Sequence, residues 1–216
     1  GSKPMKDRPN ILFIFTDQQR ADTMACYANE VISTPNLNAL SDESFVFENA
    51  YVSSPICAPS RSTIMTGTWP HTNGVIKNNV PLDPLVPTIA TLLAEECRTA
   101  FFGKWHLGNE VIRQHGFDEW VSNDDYYRRY YTDPKYLSVL SDYHRFLIDR
   151  GLEPDDESEG AMVFSREFAA SLPEELTKAT FMSSRAADFI RRNSERPFAL
   201  YVNFLEPHPP YDGPLN

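Results

Sequence analysis

Short apolar runs alternate with amphipathic stretches along most of the chain. Five consecutive apolar residues, Ile11–Phe15, predict a β-strand buried on both faces of a parallel sheet. Three further strands are predicted at 45–52, 98–102 and 197–205. Amphipathic spacing and capping residues predict helices at 34–42, 59–67, 88–96 and 177–193. This alternation predicts an α/β fold with a mainly parallel sheet flanked by helices.

Residues 121–175 interrupt the pattern. They are polar, tyrosine-rich from Tyr126 to Tyr131 and acidic at 155–159. We interpret this segment as an irregular insertion within one domain. Its tyrosines would either form the rim of a substrate site or pack the interior of the insertion itself, and the sequence leaves both readings open.

Composition narrows the class of protein. The chain has 216 residues, of which 41% are hydrophobic and 23% charged, as in an ordinary globular domain. With 20 basic and 30 acidic residues the formal net charge is −10, and no basic block is interleaved with aromatic residues. We therefore expect no nucleic-acid partner. The longest apolar run is too short to span a membrane, so no membrane partner is expected either.

The termini and the cysteines bear on processing and compartment. Residues 1–4 resemble a cloning remnant, and residues 5–216 are taken as the protein proper. Three cysteines are too few for a disulfide framework or a structural zinc site. No signal peptide is visible, so a cytoplasmic location is expected, or a periplasmic or secreted one if a signal peptide has been removed.

Polar side chains follow the predicted strands. They are Asp17 and Gln18, then Cys57, then Lys104 and His106, and finally Glu206 and His208. In open α/β sheets, ligands bind beyond the carboxyl ends of the strands. If the strands are parallel neighbours, these side chains converge on one crevice.

Cys57 carries the most specific chemistry in this set. It lies just before the helix predicted to begin at Pro59, where backbone N–H groups and the helix dipole favour a thiolate nucleophile. Arg61, one turn further along, could offer its fork of donors to an oxyanion. The alternative is a small buried core cysteine beside a surface arginine.

The segment 57–61, CAPSR, followed by STIMTG, resembles the signature of the type I, formylglycine-dependent sulfatases of the alkaline phosphatase-like superfamily. In that family the cysteine of Cys-x-Pro-Ser-Arg is oxidised to formylglycine. Other segments resemble the family in the same order: RPNILFIFTDQ at 8–18, TPNL at 34–37, NAY at 49–51, GKWHLG at 103–108, HGFD at 115–118 and EPHPPY at 206–211. The resemblance covers nearly the whole chain outside 121–175.

The resemblance implies a divalent cation, most often Ca²⁺, with Mg²⁺ or Mn²⁺ as alternatives. Asp17 and the formylglycine derived from Cys57 would be ligands. Gln18 stands where many members have a second aspartate, and its amide oxygen could still bind a hard cation. The alternative for Asp17 is a helix cap or a solvated turn.

The resemblance also assigns catalytic roles. Arg61 would hold the hydrated aldehyde, Lys104 would contact the sulfate oxygens, and His106 would act on the formylglycine hydroxyl. His208 would lie near the leaving-group oxygen. The alternatives are a surface charge for Lys104 and a structural role for His106 and His208.

The implied function is hydrolysis of a small-molecule or saccharide sulfate ester, after conversion of Cys57 by a formylglycine-generating enzyme. A phosphonate monoester or phosphodiester hydrolase of the same superfamily, or a non-catalytic anion-binding fragment, are the alternatives. Family members are normally much longer, and their later half supplies two more metal ligands and another lysine. We therefore expect residues 5–216 to be the N-terminal part of the catalytic domain, with the C-terminal part absent.

Overall fold

The computed structural model describes residues 8–95 and 97–214. The strands are β1 (Ile11–Phe15), β2 (Arg98–Gly103), β3 (Glu119–Val121), β4 (Asp156–Ser158), β5 (Ala161–Val163) and β6 (Phe198–Asn203). The α-helices are α1 (Pro35–Asp42), α2 (Cys57–Thr66), α3 (Pro70–Asn73), α4 (Ile89–Leu93), α5 (Asp142–Ile148), α6 (Arg166–Ala170) and α7 (Lys178–Arg192). Short 3₁₀ turns connect several of them. In the described part of the chain no helix is long and apolar enough to cross a bilayer.

Four parallel strands form the central sheet in the order β1-β6-β2-β3. The register places Phe15, Asn203 and Gly103 side by side, so β1, β6 and β2 end at the same edge. The residues that follow these strands therefore emerge together. The expected α/β class and parallel sheet are confirmed.

Alternating side chains of the central strands divide the core between the two faces of the sheet. Phe102, Leu200 and Val202 pack against the face covered by α5, α6 and α7, and Phe189 of α7 is fully buried there. Phe101 and Tyr201 point to the other face, in the cluster that includes α2 and α4. The sheet is thus covered on both faces at β2 and β6, as continuous apolar runs require.

Two strand predictions need correction. Residues 45–52 form no strand, and Phe45 and Tyr51 are 96% and 90% exposed. A strand needs a second strand to pair with, and no strand in the described part of the chain pairs with this segment. β1 has the predicted bounds but is not buried on both faces: among the described residues it pairs with β6 alone, and Ile14 is 56% exposed.

The helix predictions were better in position than in length. The helix expected at 59–67 begins two residues earlier, at Cys57, and ends at Thr66 before Gly67. The helix expected at 88–96 stops at Leu93, and Leu92 is exposed and does not share a buried face. Glu96 lies outside the described residues. α1 and α7 match their predicted ranges closely.

Residues 121–175 are more regular than expected. They contain α5, α6 and an antiparallel hairpin of β4 and β5. Tyr143 and Leu147 of α5 are buried against the sheet core. This segment therefore shares the core of the sheet.

Gly103 ends β2 with a φ of 105° beside β6. A Cβ at this position would lie 2.0 Å from the Asn203 carbonyl oxygen, so alanine would force the two strands apart. We expect Gly103→Ala to lower the free energy of unfolding of the intact protein by about 3 kcal/mol, measured by chemical denaturation. Gly151→Ala is the matched control, since Gly151 also has a positive φ but an added Cβ meets nothing within 4 Å. It should cost only about 1 kcal/mol, and equal losses for the two variants would contradict the steric explanation.

Candidate active site

Asp17 lies at the centre of the polar side chains that follow the strands. It comes two residues after β1 and is 5% exposed. Its Oδ2 atom lies 2.9 Å from Nη2 of Arg61, on α2, and 2.6 Å from Nζ of Lys104, directly after β2. Three segments distant in sequence thus meet at one carboxylate. The alternatives of a solvated turn for Asp17 and a surface charge for Lys104 are wrong.

The two cations determine the electrostatics of this cluster. Burial alone would raise the pKa of Asp17, but the charges of Arg61 and Lys104 outweigh it and lower the pKa. Burial and the Arg61 charge lower the pKa of Lys104, and Asp17 opposes the shift. Arg61 is held further by its Nη1 group, which donates to the Lys104 carbonyl oxygen at 2.6 Å and to the Asn203 amide oxygen at 3.4 Å.

Cys57 is the first residue of α2, not a residue before the helix, and its side chain is half-buried. Its Sγ lies 3.8 Å from Oδ1 of Asp17. Ligand atoms of Asp17, Cys57 and His208 all lie within 4.8 Å of one another. Asp17, Gln18, Cys57 and Arg61 border a cavity of about 590 Å³. Gln18 is exposed, with a φ of 60°.

His106 lies in the turn after β2 and has a φ of 56°, a conformation that non-glycine residues rarely adopt. Its ring stacks on Tyr127 at 3.9 Å between centroids, and Nε2 lies 3.2 Å from the Asn79 amide oxygen. Burial, with the charges of Lys104 and Arg61, lowers the pKa of His106 to about 3. The imidazole is therefore neutral near pH 7.

His208 completes the cluster from the loop after β6. It is half-buried, and its Nδ1 lies 2.9 Å from the Pro209 carbonyl oxygen. Burial lowers the pKa of His208, so this imidazole is also neutral near pH 7. Glu206, which follows the same strand, is exposed and takes no part in these contacts.

Two buried polar residues of the site were missed in the sequence. Asn203 ends β6 and faces Arg61; a polar residue closing an apolar run was the signal that could have identified it. Glu110 turns back so that Oε2 accepts from the Trp105 N–H at 2.9 Å and Oε1 from the His106 N–H at 2.6 Å. Nothing in the sequence indicates that the Glu110 side chain folds back to these two backbone groups. Glu110 thereby fixes the backbone of His106.

Tyr127 bears on the two readings left open for the tyrosine-rich segment. It is buried against His106, and the Lys104 ammonium lies 5.6 Å from its ring centroid. Tyr126 is 55% exposed. The segment thus places one tyrosine inside the cluster and another at its edge.

Comparison with known proteins agrees with this geometry. A family model described as Sulfatase matches residues 9–215. The uncharacterized sulfatase YidJ of Escherichia coli K12 is 30% identical and covers 96% of this chain and 40% of its own length. An N-acetylglucosamine-6-O-sulfatase of Bacteroides thetaiotaomicron is 28% identical and covers 96% of this chain and 32% of its own length. The chain therefore spans less than half the length of these relatives.

Solved structures show the same likeness. One described as a complex with its substrate D-glucosamine-2-N,6-O-disulfate has a TM-score of 0.67 at 27% identity, over 94% of this chain and 35% of that one. A phosphonate monoester hydrolase from Silicibacter pomeroyi has a TM-score of 0.69 at 20% identity, over 96% and 43% of the two chains. The second similarity extends to the fold alone.

Glu110 yields a pH-dependent prediction. Burial raises its pKa from 4.5 to about 7, despite the two backbone hydrogen bonds that favour the carboxylate. The folded state therefore binds a proton more readily than the unfolded state, and stability falls as the pH rises from about 4.5 to 7. Relative to Glu110→Gln, which does not titrate, the wild type should lose roughly 2.5 kcal/mol of unfolding free energy between pH 5 and 8. Chemical denaturation at both pH values measures this, and parallel changes in the two proteins would contradict it.

Proposed function

Because the chain belongs to the sulfatase family, we propose that it carries out hydrolysis of sulfate esters with a formylglycine nucleophile derived from Cys57. The convergence of Cys57, Arg61 and Lys104 on the buried Asp17 carboxylate is the observation that supports this most directly. Residue 57 begins a ten-residue helix and lies beside two buried cations, so its surroundings can stabilise negative charge that develops during a reaction.

A divalent cation fits the donor set in part. Asp17 offers a carboxylate, Gln18 an amide oxygen at the same cavity, and residue 57, once oxidised, an oxygen in place of sulfur. A hard cation such as Ca²⁺ prefers six or more oxygen ligands, so these three residues would leave positions for further ligands. We propose Ca²⁺, with Mg²⁺ or Mn²⁺ as alternatives. The cation would supply positive charge at the reacting oxygens.

Once hydrated, the formylglycine aldehyde would offer two hydroxyls: one would attack sulfur and expel the alcohol, and loss of the proton from the other would re-form the aldehyde as sulfate leaves. In this proposal Lys104 contacts the sulfate oxygens, Arg61 holds the hydrated aldehyde, and both cations neutralise the charge that develops on the sulfate oxygens. His106, kept neutral by burial and by the two nearby cations, accepts a proton from the hydroxyl of residue 57. His208, whose ligand atom lies within 4.8 Å of those of Asp17 and Cys57, would hydrogen-bond the leaving oxygen and help its protonation.

The substrate class and the partner are also proposals. The names of the N-acetylglucosamine-6-O-sulfatase and of the disulfated glucosamine complex favour a sulfated saccharide. A formylglycine-generating enzyme would convert Cys57. We keep the cytoplasm as the proposed compartment.

A substrate panel tests the activity in the intact protein. The peptide that contains residue 57 is first analysed by mass spectrometry, so that only preparations with the aldehyde are assayed. We expect hydrolysis of 4-nitrophenyl sulfate with a kcat/KM well above that for a phosphonate monoester of the same phenol. The reverse order would support the phosphonate hydrolase, and binding of sulfate with no turnover of either ester would indicate a non-catalytic anion site.

Cys57→Ala removes the nucleophile and should lower kcat/KM for the sulfate ester by about a thousandfold or more. Cys26→Ala is the matched control, because Cys26 is exposed and outside the cluster. It should leave kcat/KM unchanged within about twofold. Similar activity in Cys57→Ala and the wild type would refute the proposed nucleophile.

A further inference from the structure

The imidazole of His106 needs a fixed orientation if it is to accept a proton from residue 57. The hydrogen bonds that Glu110 accepts hold the main chain of the turn, but a histidine side chain can still rotate about two bonds. At the ring, Nε2 lies 3.2 Å from the amide oxygen of Asn79, an exposed residue. Nδ1 has no hydrogen-bond partner in the described part of the chain. The plane of the imidazole therefore depends on the groups that pack against it.

Tyr127 packs directly on that ring. The two ring centroids are 3.9 Å apart and the ring planes are inclined by 23°, so the rings stack. Tyr127 is only 6% exposed, which leaves little room for either ring to turn without disturbing the other. The same tyrosine ring lies 5.6 Å from the Lys104 ammonium, within the range of a cation–π contact. One side chain thus contacts two of the proposed catalytic groups.

Tyr127 is itself held through its hydroxyl group. The Arg166 guanidinium donates a hydrogen bond to the Tyr127 hydroxyl oxygen, and its carbon lies 5.4 Å from the Tyr127 ring centroid. Nε of Arg166 donates to Oδ2 of Asp124 at 2.9 Å, and the side chains of these two residues are 9% and 3% exposed. The backbone N–H of Tyr126 donates to Oδ1 of the same carboxylate at 2.6 Å. This buried, charged network fixes the position of the Tyr127 ring.

The two catalytic groups depend on Tyr127 to different degrees. Nζ of Lys104 lies 2.6 Å from Oδ2 of Asp17, and this ion pair does not involve the tyrosine. The His106 ring has no ion pair of its own in the part of the chain that the structure describes. Loss of the Tyr127 ring should therefore release the imidazole and leave the ammonium in place.

We propose that Tyr127 is a positioning residue whose ring holds the imidazole of His106 in the orientation from which it accepts a proton from residue 57. This inference rests on the proposed sulfatase function. Tyr127 lies in the segment 121–175, which contains none of the motifs by which the sequence resembles its family. The segment first interpreted as an insertion would thus support the catalytic centre.

Two substitutions in the intact protein separate the ring of Tyr127 from its hydroxyl. Tyr127→Leu removes the ring, and kcat for 4-nitrophenyl sulfate should fall about tenfold to a hundredfold because the imidazole is misplaced. KM should change by less than about threefold, since Lys104 keeps its pair with Asp17. Tyr127→Phe keeps the ring, and its kcat should stay within about threefold of the wild type. Equal losses in the two variants, or no loss in either, would overturn the role of the ring.

Tyr143→Leu is the matched control for a loss of packing alone. Tyr143 belongs to the same segment, is 2% exposed and donates its hydroxyl to the Leu176 carbonyl oxygen. Its ring packs against Phe146 and Phe181 in the core. The variant should be destabilised, while the kcat of the folded protein stays within about twofold of the wild type. A loss of kcat as large as that in Tyr127→Leu would indicate a general effect of instability and would overturn the inference.

The stacking of the two rings can also be measured by NMR without turnover. The ring current of Tyr127 shifts the carbon-bound imidazole protons of His106 upfield, and the signals that disappear in His106→Gln identify them. These signals should move downfield in Tyr127→Leu and stay in place in Tyr127→Phe and Tyr143→Leu. Unchanged signals in Tyr127→Leu would overturn the inference whatever the activity. The expected shifts in a wild type that hydrolyses no sulfate ester would refute the proposed function and still confirm that Tyr127 holds the ring.

Discussion

A single buried carboxylate organises this molecule's site. Asp17 lies between the guanidinium of Arg61 and the ammonium of Lys104, and all three side chains are at most 5% exposed. Two cations this deeply buried would be very costly without an opposite charge, and removing one partner from such a pair leaves an uncompensated charge in the interior. The Asp17 carboxylate therefore allows Arg61 of α2 and Lys104 after β2 to be buried together, with the first turns of α2 packed against the ends of β1 and β2. With two cations against one carboxylate, this cluster carries a net positive charge although the whole chain carries a net charge of −10.

The rest of the site is arranged around that cluster by the backbone. The strands β1, β6 and β2 end in register, so the residues after them reach one edge of the sheet without long loops. Gln18 and His106 both have positive φ values in the turns that follow, conformations that persist only where surrounding contacts enforce them. For His106 the enforcing contact is the pair of backbone hydrogen bonds accepted by Glu110. The imidazole is thereby positioned through its own main chain as well as by its stacking on Tyr127.

Much of this could be predicted from the sequence, for identifiable reasons. The central strands were recognisable because burial on both faces produces continuous apolar runs, and the converging polar residues because parallel strands end at one edge. The segment 45–52 misled because apolar residues indicate burial only when something packs on them, and here Phe45 and Tyr51 are exposed. Glu110 was beyond reach, because its side chain accepts hydrogen bonds from the backbone N–H groups of Trp105 and His106, and no pattern of residue types shows that a side chain folds back to the main chain in this way. Asn203 could have been identified by the rule that identified Asp17 and Lys104, namely that polar residues at the ends of parallel strands face the site.

A double-mutant cycle on Asp17 and Lys104 tests the central claim most directly. The free energy of unfolding is measured for the intact wild type, Asp17→Asn, Lys104→Met and the double variant, with a chelator present so that bound metal does not contribute. Because each single change leaves a buried charge without its partner, we predict that Asp17→Asn alone costs about 3–5 kcal/mol. The double variant should lose at least about 1 kcal/mol less than the sum of the two single losses. Small, additive losses of under about 1 kcal/mol each would contradict the account, since Asp17 would then not be the carboxylate that holds the site together.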